Sequence, residues 1–307
     1  MELNFKTDIK NWLDNLEALQ PLTTGTVPKL RIGTQTNFPV KAVIFDIYGT
    51  LLISSSGDVD QAFLSAENME KALRAGGFKL GKNPLDTVTF ILSLLPKKIK
   101  SNQAELKQKG HPFPDIDIFK VWDEMLEEAQ NEGLISFSGK ESLADAIFIF
   151  EVLSNKVFPM PGMKEVLLEI YNKRIPLGIV SNAQFYTPIL MNFFLSGKFS
   201  SEQNIDLFDP DLSVFSFNEL RGKPDVFLFQ KFIPVLKAKY NIAPSEAIFL
   251  GNDMLKDVYT AKQAGLKTVL FAGDQRSLRL RKDDERVQGL EPDFIITELK
   301  QLLEIIH

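Results

Sequence analysis

One stretch limits what this chain can fold into more than any other: Lys41-Ala42-Val43-Ile44-Phe45-Asp46-Ile47-Tyr48-Gly49-Thr50-Leu51-Leu52. Its apolar, β-prone run, Ala42 to Phe45, ends on one carboxylate. A short all-apolar run reads as a strand buried on both faces, as in a parallel sheet covered by helices. A carboxylate at the carboxyl end of such a strand sits where open α/β sheets bind their ligands. The same Asp could instead cap a following helix, so the rest of the chain decides. Gly49 then lets the backbone turn.

The chain beyond Pro159-Met160-Pro161-Gly162 has the rhythm such a sheet needs. Residues 163–173 suit a helix, and 177–180 a short buried strand ending at Ser181-Asn182. Residues 187–195 are helical, 214–217 form a strand, and 224–240 a helix in which Pro234 starts a new turn or a kink. Residues 247–250 form a strand ending at Gly251-Asn252-Asp253. A helix at 257–264 and strands at 268–271 and 294–296 complete the pattern. Such alternation predicts an α/β fold, a Rossmann-like doubly wound parallel sheet.

Between the two halves the pattern changes. Residues 53–57 read as a turn, and helical segments follow at 59–76, 84–95, 118–133 and 142–157. The polar stretch ending in His111-Pro112-Phe113-Pro114 reads as a loop. No strand alternates with these helices, so the block predicts an all-helical subdomain inserted after the first strand. At the other end, Phe5, Ile9, Trp12, Leu13, Leu16 and Leu19 recur at helical spacing. That amphipathic helix is expected to pack on the core or on a second subunit, which would make a homodimer. The predicted organisation is an N-terminal helical extension (1–40), an α/β core (41–53 and 158–307) and a helical cap (54–157).

Four short motifs now line up. Phe45-Asp46-Ile47-Tyr48-Gly49-Thr50-Leu51 resembles motif I of the haloacid dehalogenase-like (HAD) hydrolases, Asp-x-Asp-Gly-Thr. Ile179-Val180-Ser181-Asn182-Ala183 resembles motif II, Gly222-Lys223-Pro224 motif III, and Gly251-Asn252-Asp253-Met254-Leu255-Lys256-Asp257 motif IV. Alone, Ser181-Asn182 is a turn, Lys223 a solvated charge, and the two acids a helix start favoured by its dipole. Their order and the cap-sized insert carry the resemblance, which covers roughly residues 41–303. One position departs from the pattern. The second Asp of motif I, the family's general acid/base, is Tyr48, as in the dehalogenase branch.

The resemblance implies a mechanism. Asp46 is the nucleophile, Lys223 balances its charge, and Ser181, the backbone N–H of Asn182 and Thr50 donate to the substrate's charged oxygens. Mg2+ would be held by Asp46, the main-chain carbonyl of Tyr48 and Asp253, with Asp257 holding a metal-bound water. The retained acids favour a Mg2+-dependent phosphohydrolase acting on a small phosphorylated molecule through an aspartyl-phosphate. Tyr48 points to the alternative, a metal-independent 2-haloacid dehalogenase, in which Arg74 would pair with a substrate carboxylate or halide. A third reading is a catalytically weak phospho-ligand binder.

Composition narrows the classes. There is no Cys, which removes disulfides and thiolate chemistry, and two His, His111 and His307, leave little for a His-rich metal site. A formal net charge of −5 argues against nucleic acid and anionic membrane as partners. The absence of a long apolar run or a secretory h-region predicts a cytoplasmic protein.

Overall fold

The motif I strand is the middle of a parallel sheet. In the computed structural model, which describes residues 3, 5–16, 18–23, 39–55 and 65–306, a short N-terminal helix α1 (Ile9–Asp14) precedes β1 (Ala42–Phe45). β2 (Leu52–Ser54) follows the motif I turn. Then come α2 (Ala66–Ala75), β3 (Lys79–Leu80), α3 (Pro84–Gln108), α4 (Ile118–Asn131), β4 (Ile135–Ser136), α5 (Leu143–Ser154) and β5 (Val157–Pro159). The alternating half contains α6 (Met163–Asn172), β6 (Leu177–Ser181), α7 (Tyr186–Ser196), β7 (Ser213–Phe215), α8 (Ser216–Glu219) and α9 (Phe227–Tyr240). It closes with β8 (Ala247–Gly251), a π-helical turn Met254–Tyr259 running into α10 (Thr260–Gln263), β9 (Lys267–Phe271), β10 (Phe294–Ile296) and α11 (Leu302–Ile305).

The sheet order is β10-β9-β8-β1-β6-β7, with every pairing parallel. From β1 the chain moves outward through β6 and β7, then returns to β8 on the other side. The crevice at that reversal lies beyond Asp46, as the switch-point rule requires. Alternate side chains of β1 serve opposite faces. Val43 and Phe45 join one core with Val166, Leu167 and Ile170 of α6, while Ala42 and Ile44 join the other with Leu228, Phe229 and Phe232 of α9. Phe229 meets Phe249 of β8 edge-on at 4.9 Å between ring centroids, which locks α9 to the sheet. The fold is thus α/β, Rossmann-like and doubly wound.

The helices between β2 and β5 share a third core, centred on Met69, Val88, Ile91, Trp122, Met125 and Phe148. Phe185, Tyr186, Ile189 and Leu190 of α7 belong to it, so this block sits on the sheet's carboxyl side through α7. It is not purely helical, because β3 and β4 form a small antiparallel pair. β2 and β5 pair antiparallel at its base, Leu52 opposite Pro159.

Several expectations shift. The stretch after Leu95 is helical to Gln108, through Pro96, because the Lys, Ala, Glu, Leu and Gln residues beyond it are strong helix formers. α9 likewise runs through Pro234. The expected start of the first insert helix, including Ala62 and Phe63, the end of the turn after β2, most of the link after the N-terminal helix, and His307 lie outside the described residues. The N-terminal helix spans six residues, capped by Asp8, rather than running to Leu19. The reason is that its apolar residues serve two places: Ile9, Leu13 and Leu16 pack on the helical block, and Leu19 on the sheet's core. Beyond it, Leu22 N–H donates to Asp274 Oδ1 at 2.9 Å and Leu22 C=O accepts from Gln275 N–H at 2.9 Å. The segment therefore bridges the helical block and the loop after β9.

Candidate active site

Asp46 continues the β1–β8 ladder, its N–H donating to Leu250 C=O at 2.8 Å. The chain then doubles back, Ile47 C=O accepting from Thr50, Leu51 and Leu52 N–H. Gly49 has φ +79°, and a Cβ there would come within 2.5 Å of Ser277 Cβ. Glycine is required both for the conformation and for that approach. This turn leaves the Asp46 carboxylate on the wall of a cavity of about 60 Å3.

Three carboxylates meet there. Lys223, which opens the segment before α9, has a side chain only 2% exposed and bridges two of them, Asp46 Oδ1 at 2.9 Å and Asp257 Oδ1 at 2.6 Å. Burial works against its charge, but Asp257 and Asp46 outweigh it and hold the ammonium above its ordinary range. Asp257 Oδ2 accepts from Asp253 N–H at 2.9 Å. It lies so close to the end of β8 that a Cβ at Gly251 would fall 2.4 Å from its Cγ. Burial pushes the Asp257 carboxyl up to about 7, against the pull of Lys223.

Asp253 is placed differently from the expected metal ligand. Its Oδ1 caps the π-helical turn, accepting from Leu255 N–H at 2.8 Å and Lys256 N–H at 3.0 Å. Its Oδ2 accepts from Arg281 at 3.0 Å (Nε) and 2.7 Å (Nη2). Both oxygens thus have protein partners. Arg281 does this from a left-handed backbone, φ 49°, which non-glycine residues seldom adopt.

The polar side chains around the cavity form further contacts. Asn182 clamps the Lys223 backbone, Oδ1 accepting from Lys223 N–H at 2.7 Å and Nδ2 donating to Lys223 C=O at 3.2 Å. Thr50 is fully buried and its hydroxyl donates to Asn252 Oδ1 at 3.3 Å. Asn252 Nδ2 in turn donates to Ser277 C=O at 2.5 Å. Ser181, at the end of β6, has a buried hydroxyl with no partner among the described residues.

The Tyr48 hydroxyl is paired with Thr187 Oγ1 at 2.9 Å. Burial first, then the nearby Glu151, raise its pKa well above a phenol's ordinary value. Tyr48, Asn182, Lys223 and Lys256 line both the small cavity and an adjoining one of about 380 Å3, walled on the far side by the helical block. Arg74 lines neither. It is 56% exposed on α2 and pairs with Glu70 at 2.8 Å. Reasoning from sequence gave no role to Lys256 or Glu151, and noted Arg281 only as part of a basic run, Arg276, Arg279 and Arg281, that could guide an anion. Arg281 stood in an arginine-rich run whose local pattern does not say which residue turns back. Glu151 is one of two acids, with Asp145, in a largely apolar helix, α5.

The sequence matches the family of haloacid dehalogenase-like hydrolases over residues 40–265. The chain belongs to that family. This hydrolase is 30% identical to glyceraldehyde 3-phosphate phosphatase of Pyrococcus furiosus over 149 residues, 48% of this chain and about half (54%) of that protein's length. It is 23% identical to pyrophosphatase PpaX of Oceanobacillus iheyensis over 238 residues, 75% of this chain and 94% of that one. A crystal structure of a 2-haloacid dehalogenase from Pseudomonas syringae pv. tomato shares the fold, with a TM-score of 0.51, 20% identity, and coverage of 86% of this chain and 97% of that one. No helix among the described residues is long and apolar enough to cross a membrane.

Proposed function

We propose that this hydrolase cleaves a phosphate monoester of a small molecule through an aspartyl-phosphate. The observation that carries the proposal is the Asp46 carboxylate on the cavity wall, held by a buried lysine that also binds Asp257. Asp46 forms a bond to phosphorus as the bond to the leaving oxygen breaks. Water then attacks the acyl-phosphate, releasing inorganic phosphate and restoring the carboxylate. The Ser181 hydroxyl has no partner among the described residues, though the residue is fully buried and lines neither cavity; its proposed role is to donate to a phosphoryl oxygen. Asn182 and Asp257 act by holding Lys223 and the Asp253 backbone in place. The relatives named for phosphatase and pyrophosphatase activities support the same chemistry.

Among the described residues no three His, Asp or Glu side chains are arranged to hold a metal ion; the oxygens at hand are hard donors of the kind Mg2+ takes, and Asp46 Oδ2 has no protein partner among the described residues. Asp46, the Tyr48 carbonyl and Asp253 would hold the ion, which supplies positive charge between two anions. Arg281 must then yield Asp253. Arg281→Gln is therefore expected to tighten divalent-cation binding about tenfold, read by Mn2+ titration followed by electron paramagnetic resonance without substrate. Unchanged binding would show that Arg281 does not compete.

Tyr48 sets the leaving-group preference. A phenol shifted upward and tied to Thr187 is a poor proton donor to a departing alkoxide. Loss of such help typically slows a reaction ~10²–10⁴-fold. Aryl and acyl phosphates, whose leaving groups need no proton, are expected to turn over at least ~100-fold faster than alkyl phosphates. Tyr48→Phe is expected to change either rate by less than about threefold, a factor worth under ~1 kcal/mol. Equal rates on both classes in a leaving-group series would contradict the proposed role.

Two observations favour a second reading, a metal-free 2-haloacid dehalogenase: Tyr48 in place of an acid, and Asp253 already neutralised by Arg281. Asp46 would then displace halide from carbon, and water would hydrolyse the resulting ester. Halide leaves without a proton, so Tyr48 would be no handicap.

A further inference from the structure

We propose that the substrate carries a second anionic group, a carboxylate or a second phosphate, bound in the larger cavity by Lys256 and Lys107; this rests on the phosphohydrolase reading of the same site. The small cavity, about 60 Å3, has room for little beyond the reacting group, whereas the adjoining 380 Å3 can hold a leaving group with its own polar end. The charges on its wall are not equally available. Asp115 already accepts from the Ser216 hydroxyl, from its neighbour Ile116 N–H at 2.8 Å and from Gln184 at 3.4 Å. Glu151 accepts from Asn155 at 3.0 Å and from the Tyr186 hydroxyl, and burial favours its neutral form. Lys223 is committed to Asp46 and Asp257.

Lys256 and Lys107 are the exceptions. Neither side chain has an ion-pair or hydrogen-bond partner among the described residues, and both line the larger cavity. Lys107 stands in the last turn of α3, where the helix dipole alone accounts for a cation. Lys256 has no such explanation. It is half-buried, lines both cavities and lies near the start of the continuous helical run that begins at Met254, the end that disfavours positive charge. Lys256 makes no ion pair with any of the carboxylates of the small cavity, and a partly desolvated ammonium left unpaired is unfavourable. An anion on the substrate, beyond the phosphoryl group, would supply that counter-charge.

The test uses the Asp46→Asn protein, which binds without turning over, and isothermal titration with matched pairs of esters. One pair is 3-phosphoglycerate against glycerol 3-phosphate, the other fructose 1,6-bisphosphate against fructose 6-phosphate. The more anionic member of at least one pair is expected to bind at least tenfold tighter; which pair shows the gap separates carboxylate from second phosphate. Lys256→Gln is expected to close that gap, Lys107→Gln to narrow it, and Lys256→Arg to keep it. Equal affinity within both pairs, or a gap that survives both Gln substitutions, overturns the second-anion site while leaving the phosphohydrolase reading intact. If no ester binds to the folded protein, both proposals fall together.

Discussion

Asp46→Asn is expected to lower kcat by at least ~10⁴-fold on any hydrolysed substrate, the scale seen when a nucleophile that works with its partners is removed. An amide cannot form the covalent intermediate. The fold should tolerate the change. The Asp46 backbone still continues the ladder to Leu250. Lys223 also keeps its 2.6 Å pair with Asp257. Removing one of three crowded carboxylates further relieves Asp257, whose carboxyl is raised partly by Asp46. Thermal melting should therefore differ little from the parent, by about 1 kcal/mol or less in stability, the size of one net hydrogen bond. Activity within tenfold of the parent would remove Asp46 from the reaction.

Lys223→Met is expected to damage both function and stability. The lysine side chain is 2% exposed and its partner Asp257 1%. Breaking a buried pair by deleting one member leaves an uncompensated charge and typically costs about 3–5 kcal/mol. The loss should depend on pH, with a sign fixed by Asp257. Its carboxyl is raised by burial to about 7 and restrained by Lys223. Without the lysine it rises further. A carboxyl raised in the fold contributes stability below its unfolded value, roughly 4, and loses it as pH rises through the folded value. Urea titrations should thus show a deficit that is small near pH 5 and widens towards pH 8. A deficit independent of pH would mean the lysine acts by packing, for example against the Phe249 ring 5.3 Å from its Nζ.

The parts of this molecule visible in the sequence are those written in local pattern. β1, β6, β8 and β9 are short apolar runs, and three of them deliver the expected motif residues to one edge of the sheet. What stayed hidden depends on chain segments meeting late. Nothing near Asp253 signals that Arg281 occupies it, because the contact needs the left-handed turn after β9. The side chains of Thr50 and Asn182 meet Asn252 and the Lys223 backbone, contacts across distant segments that no local pattern announces. Arg74 stood out as the arginine of the insert, but helix phase points it to Glu70 and solvent. The π-helical turn at Met254–Tyr259 likewise leaves no periodic signature.

The most direct test of phosphoryl transfer by Asp46 is a paired assay on one preparation, with Asp46→Asn as control. Nitrophenol release from nitrophenyl phosphate is followed with Mg2+ and with excess chelator, and chloride release from 2-chloropropionate is followed alongside. Nitrophenol release that is abolished by chelator and by Asp46→Asn, without chloride release, is the expected result. Chloride release insensitive to chelator, with no nitrophenol, would contradict it and establish the dehalogenase reading.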